Sequence, residues 1–370
     1  MSDATTMLTY VQETPDQLAL NLEHSTCLTR SLVDAWRAGS YHHVWIIACG
    51  SSFNAAQCAK PFMMKYLDVD VQVLPPASFL FYKNLLRDDD FVFTISQSGC
   101  STNSIKALDK IHELGYTAIG LTGNLQSDFK DHADILVDYG VGSELIGYVT
   151  KGVATLAEFL MLFALEAAYA SGRIDSVVYQ KVRNEMAEVP SRHKVVQEAS
   201  LDFYNRNRAM LTSMTVAYHC GFAQGYGVAC EGALKLGETI KVPSFAYEAE
   251  EYIHGPNLQL TPNYTVFFID DFENGSDRLY QIFYATNAVT DRCFAVTNNP
   301  QIDDSRAVRL PFDMREPRLM PLYVLPFYQT IAFKVTDDIG CWKQHPVFKE
   351  FRNRITSKTP AIDKVMPMDH

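Results

Sequence analysis

A chain of 370 residues has room for two domains of ordinary size, and 47% hydrophobic with 20% charged residues describes a folded globular protein rather than a disordered one. The formal net charge of −11 argues against a general nucleic-acid or membrane surface, so an anionic small ligand would need a local pocket of backbone N–H groups and hydroxyls. The eight cysteines form no C-x-x-C pair and no zinc spacing, no leader of basic then apolar residues opens the chain, and no run approaches ~18 to 20 uninterrupted apolar residues. Reduced thiols in a cytoplasmic chain, with no metal, no cofactor and no membrane span, are the simplest expectation.

Residues 13–38 read as helix, with Leu18, Leu20, Leu22, Leu28, Leu32 and Trp36 at mixed three- and four-residue spacing. The run 44–49 carries no polar alternation and predicts a buried parallel strand, stopping at Gly50-Ser51-Ser52 before a helix over 53–66. A short strand at 70–74 follows. The strand 91–95 then runs into a second small polar turn, Ser96-Gln97-Ser98-Gly99. A helix at 102–114 and strands at 117–121 and 135–137 complete an alternation that implies a parallel sheet with helices on both faces.

The pattern recurs after helical stretches at 151–172 and 177–208. Strand 215–218 ends in His219-Cys220-Gly221, strand 266–269 in Asp270-Asp271, and strand 293–296 in Thr297-Asn298-Asn299. Gly221 lies 171 residues after Gly50, and Thr297 lies 175 after Thr122. The expected fold class is therefore α/β, built from two copies of one doubly wound domain. The expected limits are 1–175 with a leading helix, 176–210 as a helical connection, 211–345, and a tail at 346–370.

In open parallel sheets, ligands bind at the carboxyl ends of strands, where helix N-termini present free N–H groups. Two such ends in the first half carry hydroxyl-rich turns, Gly50-Ser51-Ser52 and residues 96–102. Hydroxyls beside exposed N–H groups suit a phosphate dianion without lysine or arginine. One such turn reads as well as a plain turn and helix cap; two ending neighbouring strands favour a ligand.

Ala48-Cys49-Gly50-Ser51-Ser52 and Ser96-Gln97-Ser98-Gly99 resemble the phosphosugar-binding signature of the sugar-isomerase (SIS) superfamily, in particular the isomerase half of glucosamine-6-phosphate synthases. The resemblance implies two tandem SIS domains. It also implies that Ser52, Ser96, Gln97, Ser98 and Ser101 grip a sugar phosphate, with Ser51 beside them. Residues 142–151 resemble the family's acidic residue followed by Thr-Lys, which adds Glu144 to the phosphosugar-binding set.

In the second half, Glu231-Gly232-Ala233-Leu234-Lys235-Leu236-Gly237-Glu238 places Lys235 and Glu238 three apart on one helix face. A carboxylate beside a lysine can act as a base, and His254, before Gly255-Pro256, can carry a proton near neutral pH. By spacing alone, an ordinary helix ion pair and a turn histidine remain open. The segment, with His-Gly-Pro sixteen residues after its last Glu, resembles the synthase isomerase active site. The resemblance implies that Glu238 is the enediol base, His254 the ring-opening acid and Lys235 a sugar contact. It also suggests Lys358 for the family's lysine near the C-terminus, although the residues flanking it differ.

Met1 is followed by Ser2 and the first strand begins at Val44, so the synthase's glutaminase domain is not expected. Stand-alone relatives of this kind include fructosamine-6-phosphate deglycases, sugar-phosphate deaminases and aldose–ketose isomerases. The expected partner is a hexose 6-phosphate derivative, an amino sugar or fructosamine. The resemblance also implies a homodimer in which His254 reaches the neighbouring subunit's site. The alternative from another class is a non-catalytic sugar-phosphate sensor, which would not need Glu238 and His254 together.

Overall fold

The computed structural model describes residues 6–365. The chain divides into two units. One takes Asp16–Asn184 with the segment from Gln344 onward, and the other takes the residues up to Pro15 with Glu185–Lys343.

In the first unit, β1 (His43–Ile47), β2 (Asp70–Leu74), β3 (Asp90–Ile95), β4 (Ile119–Thr122) and β5 (Ile135–Asp138) form one parallel sheet in the order β2-β1-β3-β4-β5. Every residue of β3 is buried, as a strand covered on both faces requires, and this explains why Phe91, Val92, Phe93 and Ile95 show no apolar–polar alternation. The helical stretch expected at 13–38 is three helices, Met7–Glu23, Ser25–Leu28 and Arg30–Arg37. Helix Lys151–Ala170 is long and apolar enough by composition to cross a membrane, yet it is buried on nearly every side and packs on helix Ser51–Leu67 and helix Arg30–Arg37. Its apolar girth is that of a core helix. The tail adds helix Phe348–Arg354 and an antiparallel bridge between Ser101 and Lys358.

The second unit repeats the arrangement. Its strands β6 (Ala217–Gly221), β7 (Ser244–Glu248), β8 (Thr265–Ile269), β9 (Cys293–Val296) and β10 (Ala307–Val308) form a parallel sheet in the order β10-β9-β8-β6-β7. Counted from the β7 edge, this is the strand order of the first sheet. His219, Cys220 and Gly221, expected to form the turn after a strand at 215–218, are the last three residues of β6 and are fully buried. Edge strands β7 and β10 are additions to the sequence reading.

Both sheets therefore have the order 2-1-3-4-5, which has a topological switch point where connections leave in opposite directions. In the first unit it lies between β1 and β3, and in the second between β6 and β8.

Candidate functional site

At the first switch point, β1 stops at Ile47 and the chain turns through Gly50, whose φ of 60° is a conformation that glycine adopts without strain. Helix Ser51–Leu67 begins at once, with no side-chain cap on its N-terminus. Helix Thr102–Glu113, which follows β3, also lacks one. The positive ends of two helix dipoles thus meet at one place, although the Thr102 and Ser104 N–H groups are already taken by the Ser357 carbonyl and the Asn103 side chain.

The hydroxyls between these helices form a connected set. Ser96 Oγ donates to Ser101 Oγ at 2.9 Å, and the Lys358 ammonium donates to Ser98 Oγ at 3.1 Å and to Ser101 Oγ at 2.9 Å. The three serines are buried. Ser98 Oγ also accepts the Cys100 N–H, at 3.3 Å. Ser98 and Ser101 thus each accept two hydrogen bonds and keep their own proton to donate.

Lys358 arrives from the tail, where the Thr102 N–H donates to the Ser357 carbonyl and the Thr359 N–H to the Cys100 carbonyl. Among the described residues no carboxylate pairs with its ammonium. Burial pushes its pKa below the ordinary lysine value, against the opposing influence of the nearby Cys49 and Cys100 thiols. A half-buried cation among outward-donating hydroxyls is suited to an anion. Ser51 and Ser52 lie in the first turn of helix Ser51–Leu67, Ser51 buried and Ser52 half-buried.

Glu144 has different neighbours. Its carboxylate accepts the N–H groups of Thr150, Lys151 and Gly152 and the Gln97 side-chain amide. Here the expected ligand residue caps helix Lys151–Ala170 and holds Gln97.

The second switch point has other chemistry. Asp270 accepts the Phe272 N–H at 2.9 Å and the Thr297 hydroxyl at 2.6 Å, and it also takes the Ser276 hydroxyl. Asp271 accepts the N–H groups of Glu273 at 3.3 Å and Gly275 at 3.1 Å. The chain's own carboxylates fill this turn.

The Lys-x-x-Glu face lies on helix Ala223–Thr239. Lys235 Nζ sits 3.0 Å from Glu238 Oε2 and 3.4 Å from Glu231 Oε1, with Lys235 and Glu231 buried and Glu238 partly open to solvent. Burial opposes the charge on Lys235, but the Glu231 and Glu238 carboxylates outweigh it and hold its pKa above the ordinary value. Lys235 is therefore a fixed cation, and Glu238 is the member of the trio that can meet a ligand. His254, exposed, closes helix Ala249–Ile253, which is fixed by the Glu248 cap and by an Arg278–Glu250 fork. No hydrogen bond or ion pair among the described residues joins His254 to Lys235 or Glu238.

Sequence reasoning missed a polar chain behind this helix. His219 is buried between the Tyr328 hydroxyl at 3.0 Å and Ser244 Oγ at 2.9 Å, and burial lowers its pKa to about 3. Its partners lie 109 and 25 residues away, so no local pattern could reveal them.

Residues 40–165 match the SIS domain family model. Over 312 residues, 80% of the chain, the sequence is 25% identical to a glutamine–fructose-6-phosphate aminotransferase (isomerizing) of Caldanaerobacter subterraneus. Only 49% of that protein is covered, so the chain spans about half the length of the curated relatives it matches. A protein of Clostridium difficile 630 assigned as a phosphosugar isomerase superposes with a TM-score of 0.86 at 23% identity, over 96% of this chain and 99% of that one. The C-terminal domain of a Francisella tularensis glucosamine-fructose-6-phosphate aminotransferase superposes with a TM-score of 0.82 at 20% identity, over 94% and 100%. These likenesses establish the fold, and the stretch that matches the SIS domain model, residues 40–165, runs from β1 through β5 and includes the serine turns at the first switch point.

Proposed function

We propose that the chain is a phosphosugar enzyme of the isomerase type, acting on a 6-phosphorylated amino sugar or fructosamine. The observation that carries this reading is the Lys358 ammonium, half-buried on Ser98 and Ser101 at the β1–β3 switch point with no carboxylate beside it. A phosphate dianion would accept the free protons of both serines and the third ammonium proton, and would sit in the field of two helix N-termini. The identical strand order of the two sheets supports reading the second as another SIS domain, with limits near 1–175 and 211–345. A cytoplasmic homodimer belongs to the same reading.

In the proposed reaction the sugar opens with His254 protonating the ring oxygen. Glu238 then moves a proton between C1 and C2, through an enediol or its nitrogen counterpart. Lys235, held charged by Glu231 and buried beneath Glu238, keeps that carboxylate in place from the protein side. With a fructosamine, hydrolysis would then release the amine and leave a hexose phosphate.

The test is exchange of the C1 or C2 proton with deuterated water, using phosphorylated fructosamines and hexosamines. Wild type should exchange, and Glu238→Gln should bind substrate while exchanging ~10²- to 10⁴-fold more slowly. Undiminished exchange in Glu238→Gln removes Glu238 from the mechanism. Binding without exchange or turnover on every phosphorylated sugar makes the chain a sensor.

A further inference from the structure

Building on the phosphate-site reading, we infer that Glu144 and Gly152 are positioning residues, which act through Gln97 to set the serine loop and touch no ligand themselves. The Glu144 carboxylate is fully engaged by the protein. One oxygen accepts the N–H groups of Thr150 at 2.8 Å and Lys151 at 2.7 Å, and the other accepts Gly152 N–H at 3.0 Å and Gln97 Nε2 at 2.7 Å. The three N–H groups belong to the start of helix Lys151–Ala170, where such donors lack intrahelical partners and the helix dipole favours an anion. Glu144 supplies that anion. This is why a carboxylate can stand two residues of contact away from a phosphate pocket: its charge is already met by helix donors, and this third helix N-terminus is closed to the ligand.

Gly152 forms the other wall. A Cβ there would lie 2.1 Å from Gln97 Oε1 and 2.6 Å from its Cδ, so the amide can rest on the helix only because residue 152 has no side chain. The backbone of the loop is tied as well. The Gln97 carbonyl accepts the Gly123 N–H at 2.9 Å and the Thr122 hydroxyl at 3.1 Å. Gly99, with φ of +62°, has Ser127 Oγ only 1.8 Å from where a Cβ would stand. Gln97 lies between Ser96 and Ser98 in the chain, so any turn of its backbone swings both hydroxyls out of the cluster they form with Ser101 and Lys358. Glu144 and Gly152 fix that turn.

Two measurements test this. The first is hydrogen exchange of amides 96–101 in the ligand-free full chain. Glu144→Ala and Gly152→Ala should each speed it about tenfold or more. Gly152→Ala leaves the Glu144 cap in place, and unchanged exchange of amides outside residues 96–101 separates loosening of this loop from a general fold defect. The second is calorimetry with inorganic phosphate and with fructose 6-phosphate as probes. Both variants should weaken both probes by one common factor of about ten or more, and adding Gln97→Ala to Glu144→Ala should cost less than a further twofold, since the residues act along one path. Unchanged loop exchange overturns the inference. So does a Glu144→Ala protein that loses affinity for the sugar phosphate but not for inorganic phosphate, because that marks a direct sugar contact. A wild type that binds neither probe, while loop exchange still responds to both substitutions, refutes the phosphate reading and upholds the control of the loop by Glu144 and Gly152.

Discussion

Ser98 is the residue at which the proposed phosphate chemistry is most exposed to test. Its oxygen is occupied by the Cys100 N–H and the Lys358 ammonium, which leaves its proton as the donor toward a ligand. Removing one charge-assisted hydrogen bond costs about 1.5 to 3 kcal/mol, so Ser98→Ala should weaken hexose 6-phosphate binding ~10- to 150-fold. Unphosphorylated hexoses should bind far more weakly than phosphorylated ones to begin with, and equal affinities by calorimetry would remove the site. His219 and His193 give a prediction of another kind. Burial lowers both to about 3, from 6.5 in an exposed chain. The unfolded chain therefore takes up protons between pH 6.5 and 3 that the folded one refuses, so stability is complete above pH 6.5 and falls as pH drops through that window. Each histidine should contribute a slope of up to about 1.4 kcal/mol per pH unit. Urea midpoints at pH 7, 5.5 and 4.5 measure it, and His219→Gln should flatten the dependence. An identical slope in that variant would mean that other groups account for it.

At the scale of elements, what the sequence revealed divides along a physical line. Inner strands were legible, because β1, β3, β8 and β9 are mostly apolar and lack the alternation of a strand with one wet face. The serine turns were legible too, because a phosphate-binding turn is local in the chain. Pairings made only by folding were not. Lys358 meets Ser98 across 260 residues, and only the family resemblance pointed to it. Glu144 was recognisable as part of a motif, but no spacing tells a helix cap from a ligand contact. The end of β6 was misread because His219 is polar, and its acceptability in a core depends on Tyr328 and Ser244. Strand β7 escaped notice because, at the sheet's edge, it is only partly buried. The same Tyr328 supports helix Ala223–Thr239 from behind. A Cβ on Gly232 would stand 2.4 to 2.5 Å from its ring, which is fixed in the core and cannot yield cheaply. Gly232→Ala should therefore destabilise the chain by about 1 to 3 kcal/mol through overpacking, despite alanine's better helix propensity. Gly232→Ala combined with Tyr328→Leu should recover part of that loss in chemical denaturation. No recovery would show that the ring is not the obstacle.

Taken whole, the molecule has two parallel sheets of the same strand order but only one switch point equipped for an anion. At β1–β3 the turns offer hydroxyl protons, the half-buried ammonium of Lys358 and two helix N-termini without side-chain caps. At β6–β8 the corresponding positions hold Asp270 and Asp271, whose carboxylates already take the N–H and hydroxyl donors of the turn. A phosphate arriving there would displace those bonds and face two negative charges in a partly buried place, where like-charge repulsion is only weakly screened. Topology alone would allow two ligands per chain, but the residues at the strand ends allow one. Native mass spectrometry or calorimetry with a hexose 6-phosphate should give a stoichiometry of one per chain, and Ser98→Ala should weaken that single event without exposing a second one. Two equivalent phosphates per chain would show that the acidic turn opens to ligand, and the two sheets would then have to be treated as functional repeats.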